Sequence, residues 1–571
     1  MANGPYADIQ TYIQHLEQQT QDQAETIRNL NGTIADLRQT IANLQETLDE
    51  LKRKLFGTSS ERIGQKTPDE EPGEETPAGG VREVPVKEHI RKRKPKSTRE
   101  DLYEALPVRR VECPVPEDDR GCPDCGSPMD HLGWQFGREE LRITPAKVER
   151  VQYYYETLIC PECRKEDDTT IIRSGLPTPL LMHSPASASM VAAVMYDKSG
   201  LYLPFYRQEK DWDLKKVPLP RETIANWYNQ CSLKYLSPIY DALHAKLLAR
   251  EVIHADEVPC QVLREKGREP EQKSYFWIYL TGSDELPGIV LYDYQPGRAG
   301  KYPAAFLDGF SGYVHCDGYS AYNALAGVIL LCCLAHCRRK FYEAVPKERR
   351  KALKLLDIYS EQAIPEPEGD IAARKDLLPA EKGVLFCNRL FFLEREYRDL
   401  PADERKASRL KTEPEVWKSF WSWLDTLAPV GGSKLNTAVT YTRNHKESLM
   451  NYLLDGRCEI SNNAAERKAK VYATARKNFL FHDTVDGAKA SAIVMSLLET
   501  AKANDLNPFQ YLYTLLLFMP DHKDSPASIE QLMPWSGFIK ERCSGQMDTE
   551  TYISPPTQIF LNPLSCGTSI V

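Results

Sequence analysis

With 571 residues and 42% hydrophobic content, the chain can fill several cores, about four domains at roughly 150 residues each. Its longest apolar run, residues 328–335, is too short to cross a bilayer and the N-terminal residues hold no apolar signal core, so a cytoplasmic location without membrane association is expected. The net charge of −8 argues against a uniformly basic nucleic-acid binder but leaves room for local basic surface, and 15 cysteines, an odd count with Cys332 and Cys333 in an apolar run, favour thiols and bound metal over disulfides.

Residues 1–57 predict a coiled coil. Ile13, Thr20, Ile27, Ile34, Ile41, Leu48 and Leu55 occupy heptad position a, and Ile9, Leu16, Gln23, Leu30, Leu37, Leu44 and Leu51 occupy d. Mostly Ile at a with Leu at d favours a parallel two-stranded coil, and so narrow a seam needs a partner helix. A homodimer or higher oligomer is therefore expected, the alternative being a helix packed along the core.

Residues 58–100 form a charged linker, acidic at first and basic later, where Arg91, Lys92, Arg93 and Lys94 can follow a phosphate backbone. In residues 101–175, Cys122 and Cys125 form one C-x-x-C knuckle and Cys160 and Cys163 a second. Four thiolates complete a closed tetrahedral Zn²⁺ site with no open catalytic position, although Cys113 can replace one ligand. Residues 176–250 read as helical, and residues 212–227 as helix, turn, helix, a form that can dock in a major groove.

The period then changes. Residues 252–263, 274–281 and 288–294 are β-rich, followed by a strand at 312–316 and an apolar run at 328–335, the order of an α/β ribonuclease H-like sheet over residues 251–344. A mostly helical insertion is expected over residues 345–452, completion of the catalytic core over 453–520, and a C-terminal segment and tail over 521–571. Asp256 is a poor β-former among Val252, Ile253, Val258 and Val262, and strand alternation puts Glu257 on the opposite face. Asp317 closes the fourth strand, and His254 and His315 each precede an acid by two positions. Carboxylates gathered from neighbouring strands call for a cation between them, and Mg²⁺ or Mn²⁺ suits such hard oxygen donors. The third acid is Glu466, at the start of a helix that runs towards Ala475; with Asn463 as N-cap it would fall at N3 and merely cap the helix.

These residues carry a resemblance to the transposases of the insertion-sequence sixty-six family over roughly residues 10–540. The matching pieces are Phe56-Gly57 with Ser60-Glu61-Arg62, the paired cysteine knuckles, Leu203-Pro204-Phe205-Tyr206-Arg207-Gln208-Glu209 and His254-Ala255-Asp256-Glu257. They continue with His315-Cys316-Asp317-Gly318-Tyr319, Ala335-His336-Cys337-Arg338-Arg339-Lys340-Phe341, Asn462-Asn463-Ala464-Ala465-Glu466-Arg467, Arg476-Lys477-Asn478-Phe479-Leu480-Phe481, Pro508-Phe509-Gln510-Tyr511-Leu512 and Leu532-Met533-Pro534-Trp535. Ser461 stands where the family usually has Asp, Leu334 where Trp is common and Val258 where Thr is common.

The resemblance implies an Asp-Asp-Glu transposase with Asp256, Asp317 and Glu466 as catalytic acids that bind two metal ions, cleave the DNA at the element's ends and transfer the freed strand to target DNA. It also implies a leucine-zipper-like N-terminus, a zinc-finger region and a helical insertion before the Glu. DNA is the expected partner, with other element-encoded proteins as candidates. His336, Arg338, Arg339, Lys340, Arg467, Arg476 and Lys477 are basic groups on the helices beside the acids and are expected to meet its phosphates. The rival readings are a zinc and coiled-coil DNA-binding regulator that has lost catalysis, which would be expected to lose carboxylates first although all three remain, and a zipper-mediated scaffold, which does not explain an acid inside an apolar strand.

Overall fold

The computed structural model describes residues 178–352, 369–522 and 524–544, together with a few positions between 148 and 173. The heptads, the basic run Arg91–Lys94, the four knuckle cysteines and the tail from 545 onwards lie outside the described residues. Two compact units are present. In the one formed by residues 58–176, strands β1 (Thr157–Ile159) and β2 (Ile171–Arg173) pair antiparallel.

The other unit opens with four helices, α1 (Ala188–Ser199), α2 (Phe205–Leu214), α3 (Arg221–Cys231) and α4 (Ser237–Leu248), with a π-helical turn at Ser232–Leu236. The helix-turn-helix expectation holds as a helical pair, but Trp212 and Trp227 both face inward and are buried. Then come β3 (Val252–Arg264), β4 (Lys273–Thr281), β5 (Val290–Gln295), α5 (Lys301–Phe306), β6 (Gly312–Cys316), β7 (Val328–Cys332) and α6 (Leu334–Ala344). Further helices are α7 (Lys347–Ala352), α8 (Pro379–Glu396), α9 (Ala402–Asp425), α10 (Lys434–Asn444) and α11 (Lys446–Met450). The chain closes with α12 (Asn463–Phe479), β8 (His482–Thr484), α13 (Val485–Ala503), α14 (Pro508–His522), α15 (Pro526–Gln531) and α16 (Gly537–Cys543).

The sheet runs in the order β5-β4-β3-β6-β7, antiparallel across its first three strands and parallel across β3, β6 and β7. Alternation along β3 divides its side chains between two cores. Ile253 and Ala255 join Trp277, Tyr279, Leu291 and Val314 in the core shared with α1–α4, α13 and α14. Val258, Cys260 and Val262 join Phe276, Ile278 and Tyr292 in the core covered by Ala465 and Tyr472 of α12. A two-residue period thus decides which helices each strand residue meets.

Helix α13 is buried along most of its length and seals the β5 edge of the sheet. Ser496 Oγ accepts from Tyr292 N at 2.7 Å, and Thr500 Oγ1 accepts from Val290 N at 3.0 Å. Hydroxyls on the helix thereby satisfy strand N–H groups that would otherwise form an open edge. The insertion shares a core with the sheet, where Phe386, Trp417, Phe420, Trp421 and Trp423 join Val252 of β3, Leu331 of β7 and Phe341 of α6. The helical expectation for residues 345–452 agrees with α7–α11, whereas β8, which pairs with the far end of β3 at Val262 and Arg264, has no counterpart in the sequence reading. Among the described residues, no helix is long and apolar enough to cross a membrane.

Candidate active site

β3 and β6 run parallel with His254 opposite His315, which puts the side chains two residues on, Asp256 and Asp317, on the same face of the sheet. The two imidazoles are fully buried and stacked, with ring centroids 5.0 Å apart and planes inclined by 3°. His315 Nε2 bonds the carbonyl of Glu459 at 2.7 Å. Burial, and then the neighbouring His254, holds the His315 imidazole well below its ordinary pKa, so it stays neutral.

Asp256 and Glu257 take opposite faces. Asp256 pairs across the ladder with Ile278 of the α12-covered core, and Glu257 with Trp277 of the other core. Glu257 is matched by Arg298, whose Nε donates to it at 2.7 Å, and by the Tyr322 hydroxyl at 2.8 Å. Asp256 has no such partner: its Oδ1 accepts only from the adjacent Glu257 N at 2.8 Å. Burial, followed by the charges of Glu257, Asp317 and Glu466, pushes its carboxyl well above the usual carboxylate range. An acid pushed up by burial and by neighbouring acids gains most from a cation placed among them.

Asp317 ends β6 in a tight turn. Its Oδ1 accepts from Tyr319 N at 2.8 Å, and Gly318 has φ of +85°. A Cβ at Gly318 would lie 2.8 Å from both Cys332 Sγ and His445 Nε2, so conformation and space both demand glycine. The insertion grips this turn from above: Tyr441 donates its hydroxyl proton to the carbonyl of Asp317 at 2.8 Å, and His445 Nε2 bonds that of Gly318 at 3.0 Å. Tyr441 and His445 stand one helical turn apart, a spacing that was visible in the sequence but had no stated partner.

Glu466 does not cap its helix. The N-cap is Asn462, one residue earlier than expected, which places Glu466 at the fourth helical position, and its carboxylate meets Arg339 Nη2 at 3.3 Å and His336 Nδ1 at 3.5 Å. Asn462 is fully buried, with Oδ1 2.9 Å from His254 Nδ1 and Nδ2 donating to the carbonyl of Ala255 at 2.8 Å. The helix that bears Glu466 is thus fixed directly to the strand that bears Asp256. Among the described residues, the group whose metal-binding atoms all lie within 4.8 Å of one another is Cys333, His336 and Glu466 rather than the three carboxylates.

The basic residues divide. Arg467 and Lys477 are exposed, and Lys340 lies over the Tyr441 ring at 4.8 Å. Arg476 is half-buried and donates to the carbonyl of Pro259 at 2.7 Å. Arg338 corrects the sequence reading: it is 1% exposed and its Nε donates to Asn388 Oδ1 at 2.7 Å, so it ties α6 to α8 and cannot reach a phosphate.

Comparison with known proteins identifies the family of the chain. The family described as "Transposase IS66 family" matches residues 183–490, "IS66 C-terminal element" matches 496–535, "zinc-finger binding domain of transposase IS66" matches 119–164 and "Transposase C of IS166 homeodomain" matches 43–111. Similar proteins occur in Sinorhizobium fredii (strain NBRC 101917 / NGR234). The uncharacterized protein y4hP is 24% identical over 85% of this chain and 87% of its own length. The uncharacterized protein y4jD is 25% identical over 75% and 80%, and the uncharacterized protein y4qI is 30% identical over 64% of each.

Proposed function

The chain belongs to the IS66 family of transposases, and on that footing we propose that it cleaves DNA at the ends of an insertion sequence and transfers the freed strand to target DNA by metal-dependent phosphoryl transfer. The observation that carries the proposal is Asp256, an acid inside a buried strand on the face it shares with Asp317, whose carboxyl is pushed up by burial and then by the charges of Glu257, Asp317 and Glu466. A ribonuclease H-like core is supported by the strand order β5-β4-β3-β6-β7, with β3 central and parallel to β6.

Asp256, Asp317 and Glu466 would hold Mg²⁺ or Mn²⁺. Bound there, two ions would supply an acidified water as nucleophile and charge stabilisation for the leaving 3′ oxygen. The chain's own part is positioning. Asn462 fixes the Glu466 helix against β3, while Tyr441 and His445 fix the Asp317 turn. Arg339 contacts both Glu466 and His336 at 3.3 Å, longer than tight charge-assisted bonds, and would exchange them for a DNA phosphate. Arg467 and Lys477, both exposed, would meet DNA phosphates, and so would Arg91, Lys92, Arg93 and Lys94 of the linker sequence.

Cys122, Cys125, Cys160 and Cys163 fall inside the matched zinc-finger span and would bind one structural Zn²⁺. The heptads of residues 9–55 would pair two chains in a parallel coiled coil. A cytoplasmic location follows from this reading, since the substrate is DNA. The direct test is incubation of the purified chain with Mg²⁺ and terminal-repeat DNA. A nick mapped to the element boundary is expected, and uncut DNA under conditions of demonstrated binding would count against catalysis and favour a DNA-binding regulator.

A further inference from the structure

Cys333 and His336 stand at the N-cap and third position of α6, a C-x-x-H spacing that turns both side chains to one side of the helix end. Glu466 reaches the same point from α12, and the three ligand atoms lie within 4.8 Å of one another. Arg339 orders the pair: its Nη1 lies 3.3 Å from His336 Nε2 and its Nη2 3.3 Å from Glu466 Oε2. The inner atoms, His336 Nδ1 and Glu466 Oε1, are buried without a hydrogen-bond partner. Two buried polar atoms left unmatched beside a thiol are costly unless something binds between them. Burial pushes the Cys333 thiol well above its ordinary range, and the N–H of Asn462, 3.1 Å from the sulfur, offsets part of this.

We propose that Cys333, His336 and Glu466 form a binding site for one thiophilic divalent cation of the zinc class, distinct from the four knuckle cysteines. Sulfur, imidazole nitrogen and carboxylate oxygen are the donor set for tetrahedral Zn²⁺ with an open fourth position, and hard Mg²⁺ does not compete for the sulfur. Tetrahedral bonds of about 2.0–2.3 Å place ligand atoms about 3.3–3.8 Å apart, so the side chains need close in only slightly. Binding releases the Cys333 thiol proton to solvent, shifts the imidazole proton of His336 from Nδ1 to Nε2 so that Arg339 Nη1 leaves that nitrogen, and draws Glu466 towards α6. Only this last consequence, that a soft ion takes Glu466 away from Asp256, rests on the proposed function.

The test is Co²⁺ added, in Mg²⁺-free buffer, to the full-length chain carrying one equivalent of zinc, the amount the four knuckle cysteines would keep, read by thiolate-to-cobalt charge-transfer absorption. One equivalent should bind with that band, survive excess Mg²⁺ and vanish in Cys333→Ser. His336→Asn should weaken Co²⁺ binding about tenfold or more, and this variant decides if Cys333→Ser does not fold. No band in the unmodified chain, a band undiminished in Cys333→Ser, or unchanged affinity in His336→Asn overturns the site. Failure of the phosphoryl-transfer reading would leave the band intact, and absence of the band in the unmodified chain would leave that reading standing.

Discussion

Asn462 Oδ1 lies 2.9 Å from His254 Nδ1, so a fully buried amide joins the start of the Glu466 helix to the strand that carries Asp256. Because its Nδ2 is committed to the carbonyl of Ala255, the oxygen must accept and His254 must donate from Nδ1. Asn462→Ala would strand two buried groups, and we expect a loss of about 2–4 kcal/mol together with a large fall in cleavage. The denaturant midpoint measures the first; an unchanged midpoint would show that the helix is held by other contacts.

Arg409 ties the insertion to the segment that leads into the site. It is 1% exposed, meets both carboxylate oxygens of Glu394 at 2.6 Å, and donates to the carbonyls of Tyr452, Asp455 and Cys458. Removing the cation leaves Glu394 beside Glu413, whose carboxyl is pushed up to about 9 by burial and by the Glu394 charge. Arg409→Ala is therefore expected to destabilise by about 3–5 kcal/mol, whereas Glu413→Gln, which replaces an already neutral acid, should shift the denaturant midpoint little. Equal effects of the two changes would contradict this assignment.

Much of this was legible because the signals were local. The strands around Asp256 and Asp317 follow a two-residue period, and α12 follows from the helical pattern after Asn462. Two features were not legible: β8, three residues paired to the distant end of β3, and the grip of Tyr441 and His445 on the Asp317 turn. Both depend on contacts between residues far apart in the chain, which periodicity does not encode. Arg338 was misjudged for the same reason. On a basic helix it resembles its neighbours, and only the packing of α8 shows that its partner is Asn388.

The raised pKa of Asp256 sets a pH dependence. A carboxyl that ionises less readily when folded contributes stability below its unfolded pKa, near the ordinary 3.8, and loses it as pH rises through the folded value. In Mg²⁺-free buffer at neutral pH, Asp256→Asn should therefore melt higher than the unmodified chain. Saturating Mg²⁺ should reverse the order, adding about 2.7 kcal/mol at one hundred times its dissociation constant to the unmodified chain only. Apparent Mg²⁺ affinity should also climb with pH as the proton leaves. Melting curves with and without Mg²⁺ check this, and a lower melting point for metal-free Asp256→Asn would contradict it.

The N-terminal proposals share one preparation. A chain lacking residues 1–56 should have half the particle mass of the full-length dimer yet retain one zinc per chain on Cys122, Cys125, Cys160 and Cys163. Light scattering and metal analysis read the two independently. An unchanged oligomer would remove the coiled coil as the dimer contact, and zinc below half an equivalent in unchelated protein would remove the four-cysteine site.

The central claim is that Asp256, Asp317 and Glu466 act as metal ligands, and its most direct measurement is the rate of strand cleavage on terminal-repeat DNA in Asp256→Asn, Asp317→Asn and Glu466→Gln. Each change removes charge while preserving shape. The account predicts intact folding and DNA binding in all three, with cleavage reduced by orders of magnitude. Cleavage near the unmodified rate in any one of them would contradict the assignment of that residue.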